Sequence, residues 1–185
     1  MTRTYETGLV LGRFQMLHNG HVRMIRAALD LCDRVVVYIG SADKHGTERN
    51  PFPYNVRRDM LELTFREEVV NDRLVVAPLS DLGAGDNPVW GKYVIDSFTK
   101  DFGKAPDLYI TGCEKERPSW FTDEIAPNMD ELRLSRHVNE ISASQCREYL
   151  RKTDPKSWRA SVPSQIHYLF DAYKMYVDDA KKEEK

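Results

Sequence analysis

The sequence predicts an α/β fold in which an open parallel sheet carries helices on both faces. Short β-rich runs alternate with helical patterns along the chain, and one run, RVVVYIG (34–40), is apolar almost throughout. Strands that are buried on both faces of a parallel sheet have this continuous apolar character. Because the 185 residues contain no internal repeat and no Gly-, Pro- or Ser-rich linker, we expect one domain spanning 1–185.

Each element of this fold follows from its own pattern. Strands are predicted at GLVLG (8–12), RVVVYIG (34–40), LVVAPL (74–79) and PDLYITG (106–112), with a fifth near 132–138. Helices are predicted at 22–31, 57–65, 90–102, 142–151 and 162–177, followed by a solvated, frayed tail, DDAKKEEK (178–185). Ligands of an open parallel sheet bind at the carboxyl ends of its strands. The residues that follow each strand are therefore the first candidates for a site.

The composition argues against several classes of function. A formal net charge of −2 does not favour a nucleic-acid partner, which would call for a strongly basic face. No apolar run approaches the roughly 20 residues that span a bilayer, and the N-terminal segment lacks the features of a secretory signal. The cysteines Cys32, Cys113 and Cys146 are odd in number and widely spaced, which favours reduced thiols over disulfides or a zinc site. We therefore expect a cytoplasmic protein with no membrane partner.

The stretch GRFQMLHNGH (12–21), which joins the first strand to the first helix, carries the strongest chemical signal. Gly12 ends the strand and lets the backbone approach a ligand, while Asn19 is predicted to cap the helix. The amide groups and dipole of this helix terminus attract phosphate, and the imidazoles of His18 and His21 can donate to phosphate oxygens. Two alternatives stay open: structural histidines, or an HxxH metal site, for which no third ligand follows at a convincing spacing.

This stretch resembles the GRFQPxHxGH signature of the nucleotidyltransferase superfamily, whose members carry an (H/T)xGH element. The second hallmark of that superfamily, near ISTTxxR, corresponds here to ISASQCR (141–147). Two such elements at opposite ends of one α/β domain form a specific signal. The departures from the pattern are Met16 for proline, Ala143 for threonine and Cys113 for histidine or another residue. None of these removes a charged group that is expected to touch phosphate.

The sequence between the two hallmarks resembles nicotinamide-mononucleotide (NMN) adenylyltransferases of the archaeal and bifunctional-bacterial type. Three segments are similar to theirs: GSADKHGTERNPFPYNVRR (40–58) to GSAxKxxTxxNPFTxxER, PLSDLGAGDNPVW (78–90) to PxxDxxxNxxW, and TGCEKERPSWF (111–121) to GHxKDxSxYY. The similarity runs from about residue 8 to residue 173. It implies a Rossmann-like domain that joins NMN and ATP into NAD and releases pyrophosphate.

The resemblance also implies two groups of site residues. Around the triphosphate of ATP it implies catalytic roles for Arg13, His18, His21 and Arg147, with further ATP contacts at Gly12, Phe14, Gly20, Gly112, Ser142 and Ser144. For NMN it implies contacts with Lys44, Arg49, Asp81, Asn87 and Trp90. Arginine forks match phosphate oxygens, and an indole face can stack on a nicotinamide ring. Mg²⁺ is expected as a cofactor that bridges the substrate phosphates, with no dedicated protein metal site.

Plainer interpretations of these residues stay open beside the functional ones. Ser142 can be merely the N-cap of its helix, Arg147 a surface arginine, and Trp90 a core residue at a helix start. The stretch FREEVVND (65–72) resembles a Nudix box only superficially, because the glycine and glutamate spacing is missing. Its acidic residues, Glu67 and Glu68, are predicted to form a solvated helix face.

Competing functions follow from the same residues. The nearest is the same transfer to another acceptor, such as nicotinate mononucleotide, FMN or phosphopantetheine, or a cytidylyl transfer. A catalytically silent nucleotide-binding sensor belongs to a different class. A small nucleic-acid-binding protein fits the charge less well, and a class I tRNA synthetase would need a second, lysine-rich signature. The sequence does not determine oligomeric state, so a homo-oligomer stays open.

Overall fold

The computed structural model describes residues 3–83, 87–112, 120–135 and 141–180. Within them lies one five-stranded sheet in which every neighbouring pair is parallel, with the order β3-β2-β1-β4-β5. Its strands are β1 (Tyr5–Gly12), β2 (Cys32–Ile39), β3 (Leu74–Pro78), β4 (Leu108–Thr111) and β5 (Asp130–Arg133). The predicted open parallel sheet is confirmed, and the fifth strand begins slightly earlier than the sequence pattern indicated.

Helices follow the strands in the predicted alternation. They are α1 (Asn19–Leu31), α2 (Tyr54–Thr64), α3 (Arg66–Val70), α4 (Pro88–Phe102), α5 (Ala143–Arg151), α6 (Pro155–Ser161), a 3₁₀ helix (Ser164–Leu169) and α7 (Phe170–Asp178). None of them, within the described ranges, is long and apolar enough to cross a membrane.

Alternating strand residues build two hydrophobic clusters, one on each face of the sheet. Val35 and Val37 belong to the larger cluster, which α1, α2, α5, α6 and α7 cover. Val36 and Tyr38 belong to the smaller cluster, which α4 covers through residues such as Phe98. Since successive side chains of a strand point to opposite faces, the apolar run of β2 supplies both clusters. The prediction of helices on both faces is thereby confirmed.

The start of α1 differs from the prediction that Asn19 caps this helix. The N-cap residue is His18, whose backbone is extended and whose side chain makes no capping hydrogen bond. The side-chain amide of Asn19 instead donates to the carbonyl oxygen of Ala160 at 3.2 Å. The capping prediction is wrong because the last extended residue lies one position earlier. Asn19 is therefore already helical and ties α1 to the C-terminal part of the chain.

The C-terminal part is more divided than the sequence pattern indicated. The helix predicted at 162–177 consists of the 3₁₀ helix followed by α7, and α6 precedes them without having been predicted. Asp154 caps α6, because its carboxylate accepts a hydrogen bond from the amide of Ser157 at 3.0 Å. Of the predicted frayed tail, residues 181–185 lie outside the described residues.

In α3, Glu67 is exposed as expected, whereas Glu68 forms an ion pair with Arg26.

Candidate active site

A cavity of about 560 Å³ opens at the carboxyl ends of β1 and β4. The direction of the chain through the sheet changes between these two neighbours. The crossover that leaves β1 runs through α1 on one face to β2, whereas the crossover that arrives at β4 comes from β3 through α4 on the other face. In open parallel sheets, such a switch point is where ligands bind. The lining residues come from β1, α1, β4 and the segments around β5 and α5: Leu11, Gly12, His18, Gly20, His21, Arg23, Met24, Thr111, Gly112, Leu134, Ser135, Ile141, Ser142 and Ala143.

Two stacked imidazoles form one wall of this cavity. The ring centroids of His18 and His21 lie 3.7 Å apart with an angle of 25° between the ring planes. The ring of Phe14 supports His21 at a centroid distance of 4.9 Å. Gly20 allows this arrangement, since a Cβ at this position would lie 3.0 Å from the His18 ring. The ring nitrogens of the two stacked imidazoles can donate to an anion in the cavity.

Arginine side chains gather beside the cavity. Arg147 of α5 donates to the carbonyl oxygen of Gln15 and, at 3.1 Å, to the hydroxyl of Ser144. Burial lowers the pKa of Arg147, and the positive charges of Arg151 and Arg13 lower it further. A guanidinium whose charge is opposed by its surroundings gains from a bound anion. This arrangement suits a ligand that carries several negative charges.

The predicted ATP residues fall into two groups. Gly12, Gly20, Gly112 and Ser142 line the cavity together with the two histidines. Phe14 does not line it: its side chain is 1% exposed and packs beneath His21. Arg13, Ser144 and Arg147 do not line the cavity either. Arg13 follows Gly12 and Ser144 follows Ala143, both of which line it, and Arg147 donates to the hydroxyl of Ser144 and to the carbonyl oxygen of Gln15.

Ser142 combines the two interpretations that the sequence left open. It is the N-cap of α5, where its hydroxyl accepts from the amide of Gln145 at 3.2 Å and the Gln145 side chain accepts from the Ser142 amide at 2.8 Å. This reciprocal capping box fixes the first turn of the helix. Since Ser142 and Ala143 also line the cavity, the N-terminus of α5 is held against it.

Gly12 also serves a purpose that differs from the predicted one. A Cβ at this position would lie 2.9 Å from the ring of Phe14. The missing side chain therefore makes room for Phe14 as well as leaving the cavity wall open at the end of β1.

The residues predicted to bind NMN lie apart from this cavity, on the loops after β2 and β3 and at the start of α4. Asp43 links the two loops, because its carboxylate accepts from the backbone amide of Asp81 at 2.9 Å and lies 3.4 Å from the ammonium of Lys44. The amide of Asp81 holds the pKa of Asp43 below its usual value. Lys44, Arg49 and Asp81 are exposed.

Asn87 and Trp90 have structural contacts at the start of α4. The side-chain oxygen of Asn87 accepts from the amides of Val89 at 2.9 Å and Trp90 at 3.4 Å, so it caps the helix. The Trp90 ring is half-buried and lies 5.5 Å from the ring of Tyr93. Residues 84–86 and 113–119, which include Cys113 and most of TGCEKERPSWF, lie outside the described residues.

Two residues near the cavity were not predicted. Gln15 is 2% exposed, and its side-chain amide both donates to the carbonyl and accepts from the amide of Phe52, each at 2.9 Å. Arg23 lines the cavity three residues after Gly20. Helical spacing could have identified Arg23, since positions i and i+3 share a face. No local signal identifies the pairing of Gln15 with a segment 37 residues away.

Comparison with known proteins agrees with this architecture. Residues 9–149 match the model of the cytidylyltransferase-like family. The chain is 37% identical over 91 residues to the nicotinamide-nucleotide adenylyltransferase of Thermococcus kodakarensis, and this match spans about half of each protein (49% and 47%). It is 34% identical over 162 residues to the enzyme of the same name from Picrophilus torridus, covering 88% of each.

A solved structure supports the fold. The bifunctional NMN adenylyltransferase/ADP ribose pyrophosphatase of Francisella tularensis, complexed with AMP and a Mn ion, superimposes with a TM-score of 0.71 at 20% identity over 94% of this chain and 52% of that one. From the family match and the Picrophilus relative, the chain belongs to the cytidylyltransferase-like family and is similar along most of its length to nicotinamide-nucleotide adenylyltransferases.

Proposed function

We propose that this chain transfers the adenylyl group of ATP to NMN, forming NAD and pyrophosphate, with all 185 residues acting as one adenylyltransferase domain. The observation that carries the proposal is the meeting of the stacked His18 and His21 with the N-terminus of α5 around one cavity at the switch point of the sheet. The names of the relatives point to the same reaction.

The charge around the cavity suits a triphosphate. Two imidazoles line it, and Arg147 lies close enough to Arg13 and Arg151 for their charges to oppose its own. The N-termini of α1 and α5 both reach the cavity wall, and each contributes a partial positive charge. ATP binding would offset the repulsion among the three arginines.

In the proposed reaction, an oxygen of the NMN phosphate attacks the α-phosphorus of ATP. A phosphorus–oxygen bond forms there as the bond to the bridging oxygen of the β-phosphate breaks, and pyrophosphate leaves with the electron pair. The protein supplies alignment and charge stabilisation rather than a nucleophile. His18 and His21 would donate to phosphate oxygens as charge builds up, while Arg13 and Arg147 hold the departing phosphates.

NMN would approach along the loops after β2 and β3, where Lys44 and Arg49 can neutralise its phosphate. Asp81 and Asn87 would bond its ribose or carboxamide, and the Trp90 ring would stack on the nicotinamide. For Asn87, the side-chain oxygen is used by the helix cap, so its amide nitrogen is the group offered to NMN.

A divalent cation, Mg²⁺, would arrive with the nucleotide. The described residues contain no group of three or more His, Cys, Asp or Glu side chains that could hold a metal ion. In the proposed complex the ion would be held mainly by the substrate phosphates. When bound there, such an ion neutralises phosphate charge. The Francisella protein was crystallised with AMP and Mn.

An acceptor panel tests this proposal. The purified protein is incubated with ATP and MgCl₂ and, in separate reactions, with NMN, nicotinate mononucleotide, FMN or phosphopantetheine, and both pyrophosphate and the dinucleotide are quantified. We expect NAD and pyrophosphate in equal amounts with NMN, and no reaction when EDTA removes the metal. Preferential use of another acceptor would overturn the substrate assignment. Nucleotide binding without pyrophosphate release from any acceptor would favour a sensor.

A further inference from the structure

Arg57 of α2 is a fully buried arginine, with 0% of its surface exposed. Buried guanidinium groups are rare and normally pair with carboxylates, but Arg57 forms no ion pair with any carboxylate among the described residues. Instead it donates to three backbone carbonyl oxygens: those of Arg13 and Gly40 at 2.9 Å and that of Ser41 at 3.0 Å.

These carbonyls belong to two turns that are individually unfavourable. Phe14 has a φ of 51° and Ser41 a φ of 48°, a left-handed conformation that residues with side chains rarely adopt. The Arg13 carbonyl belongs to the peptide bond before Phe14. The carbonyls of Gly40 and Ser41 belong to the peptide bonds on either side of the Ser41 Cα atom. One guanidinium therefore fixes the backbone at the carboxyl ends of both β1 and β2.

We propose that Arg57 is a positioning residue for adenylyl transfer, whose guanidinium holds the turns after β1 and β2 in the conformation that presents Arg13 and supports His21. This role rests on the function proposed above. The connection is short: the bound carbonyl belongs to Arg13 itself, and the next residue, Phe14, carries the ring that lies 4.9 Å from the ring of His21.

The planar fork of arginine is needed for this contact, because one group must reach carbonyls from two different strand ends. A lysine at the same position keeps the charge but offers a single nitrogen. We therefore expect Arg57→Lys to loosen at least one turn while leaving α2 and its apolar neighbours in place.

The charge of the buried group gives a second readout. Burial and the positive charge of Arg13 lower the pKa of Arg57 to about 10, while Asp43 and Tyr54 act in the opposite direction. The guanidinium thus stays charged at neutral pH. A lysine would meet the same burial from a lower starting value, roughly 10.4. It would lose its proton, and with it the hydrogen bonds, as the pH rises through a lower value.

Arg73 supplies a matched control. Its guanidinium also donates to three backbone carbonyls, those of Leu29, Cys32 and Asp33, but at the opposite edge of the sheet. Arg73→Lys therefore removes a similar fork whose three acceptor residues do not line the cavity.

The experiment compares steady-state NAD formation, its pH profile and thermal unfolding in the wild type, Arg57→Lys and Arg73→Lys. We expect Arg57→Lys to lower kcat by about 10- to 100-fold with little change in KM, because the guanidinium is bound to backbone. Its activity should also decline at a lower alkaline pH than that of the wild type. Arg73→Lys should lower only the unfolding temperature. If Arg57→Lys does not fold, the comparison is made in a Ser41→Gly background, since glycine adopts the left-handed turn without strain.

Equal kcat values and equal pH profiles for the two lysine variants, with an active wild type, would overturn the positioning role and leave the proposed function standing. A wild-type protein that forms no NAD would overturn both.

Discussion

Two cations at the amino edge of the sheet, Arg34 and Lys104, have different kinds of partner from two arginines at the carboxyl edge, Arg57 and Arg147. At the amino edge, cations meet carboxylates: Arg34 lies 2.7 Å from Asp72, and Lys104 lies 2.7 Å from Glu6. Partners at this edge are exposed or half-exposed, and such pairs contribute little to stability. Their charges are neutralised within the protein.

At the carboxyl edge, Lys44 lies 3.4 Å from Asp43, but the partners of two arginines are carbonyl oxygens. Arg57 donates to three of them and Arg147 to that of Gln15, and neither forms an ion pair with a carboxylate of the described residues. Both have a lowered pKa, caused first by burial and then by neighbouring arginines. The comparison teaches that no carboxylate of the described residues pairs with Arg147, so a polyanion in the cavity could neutralise its charge, whereas the buried Arg57 holds the backbone.

The largest expected effect is on the stacked histidines. His21→Ala should lower kcat for NAD formation by about 10²–10³-fold, because a donor to the developing phosphate charge is lost. Turnover is measured in steady state, with circular dichroism to check folding. His167→Gln is the control: its ring lies on the 3₁₀ helix near Trp158, outside the cavity. Unchanged turnover in folded His21→Ala would remove this residue from the mechanism.

The next effect compares one arginine from each edge. Arg147→Gln should lower kcat/KM for ATP by about 10- to 100-fold, the loss expected for a hydrogen bond to a charged group. Arg34→Gln, which breaks the pair with Asp72, should leave kcat/KM unchanged and lower the free energy of unfolding by about 1 kcal/mol or less. Equal kinetic losses in both variants would abolish the distinction between the edges.

A smaller effect should separate capping from substrate binding at Asn87. Asn87→Ser keeps a cap acceptor but removes the amide donor, so KM for NMN should rise by about tenfold with little loss of stability. Asn87→Ala should raise KM similarly and also destabilise the protein by about 1 kcal/mol. Chemical denaturation and initial rates measure the two quantities. A KM that rises only in Asn87→Ala would assign Asn87 to the helix cap alone.

The smallest effect concerns acid stability. The amide of Asp81 lowers the pKa of Asp43 in the folded protein, so this carboxylate stabilises the fold above its unfolded pKa of about 3.9. The stabilisation is lost as the pH falls through the lower, folded pKa. Asp43→Asn should therefore show a slightly weaker decline in stability below about pH 4 than the wild type. Identical acid unfolding curves would mean that this link contributes nothing.

The strands of the sheet could be predicted from the sequence because each of them carries a local pattern. β2 is a run of apolar residues whose two faces are both buried, and such runs are distinctive. α6 was missed because it is short and buries little besides Trp158 and Ser161. The predicted C-terminal helix is divided where Leu169 ends the 3₁₀ helix and Phe170 begins α7, a change in winding that periodicity alone does not reveal.

The site was accessible only where its chemistry is local. His18 and His21 are three residues apart and follow a strand, so their meeting could be predicted. The contacts of Arg57 and Gln15 were not predicted, because their partners are backbone groups 16 to 44 residues away from Arg57 and 37 residues away from Gln15. Side-chain-to-backbone contacts of this kind impose no pattern on the partner's sequence.

A crystal structure of the wild-type protein with NMN and an ATP analogue that carries a methylene bridge between the α- and β-phosphates tests the central claim most directly. The account predicts that the triphosphate lies in the cavity between β1 and β4, within hydrogen-bond distance of His18, His21 and Arg147, with the NMN phosphate facing the α-phosphorus. A triphosphate bound at another surface, with these three side chains out of reach, would contradict it.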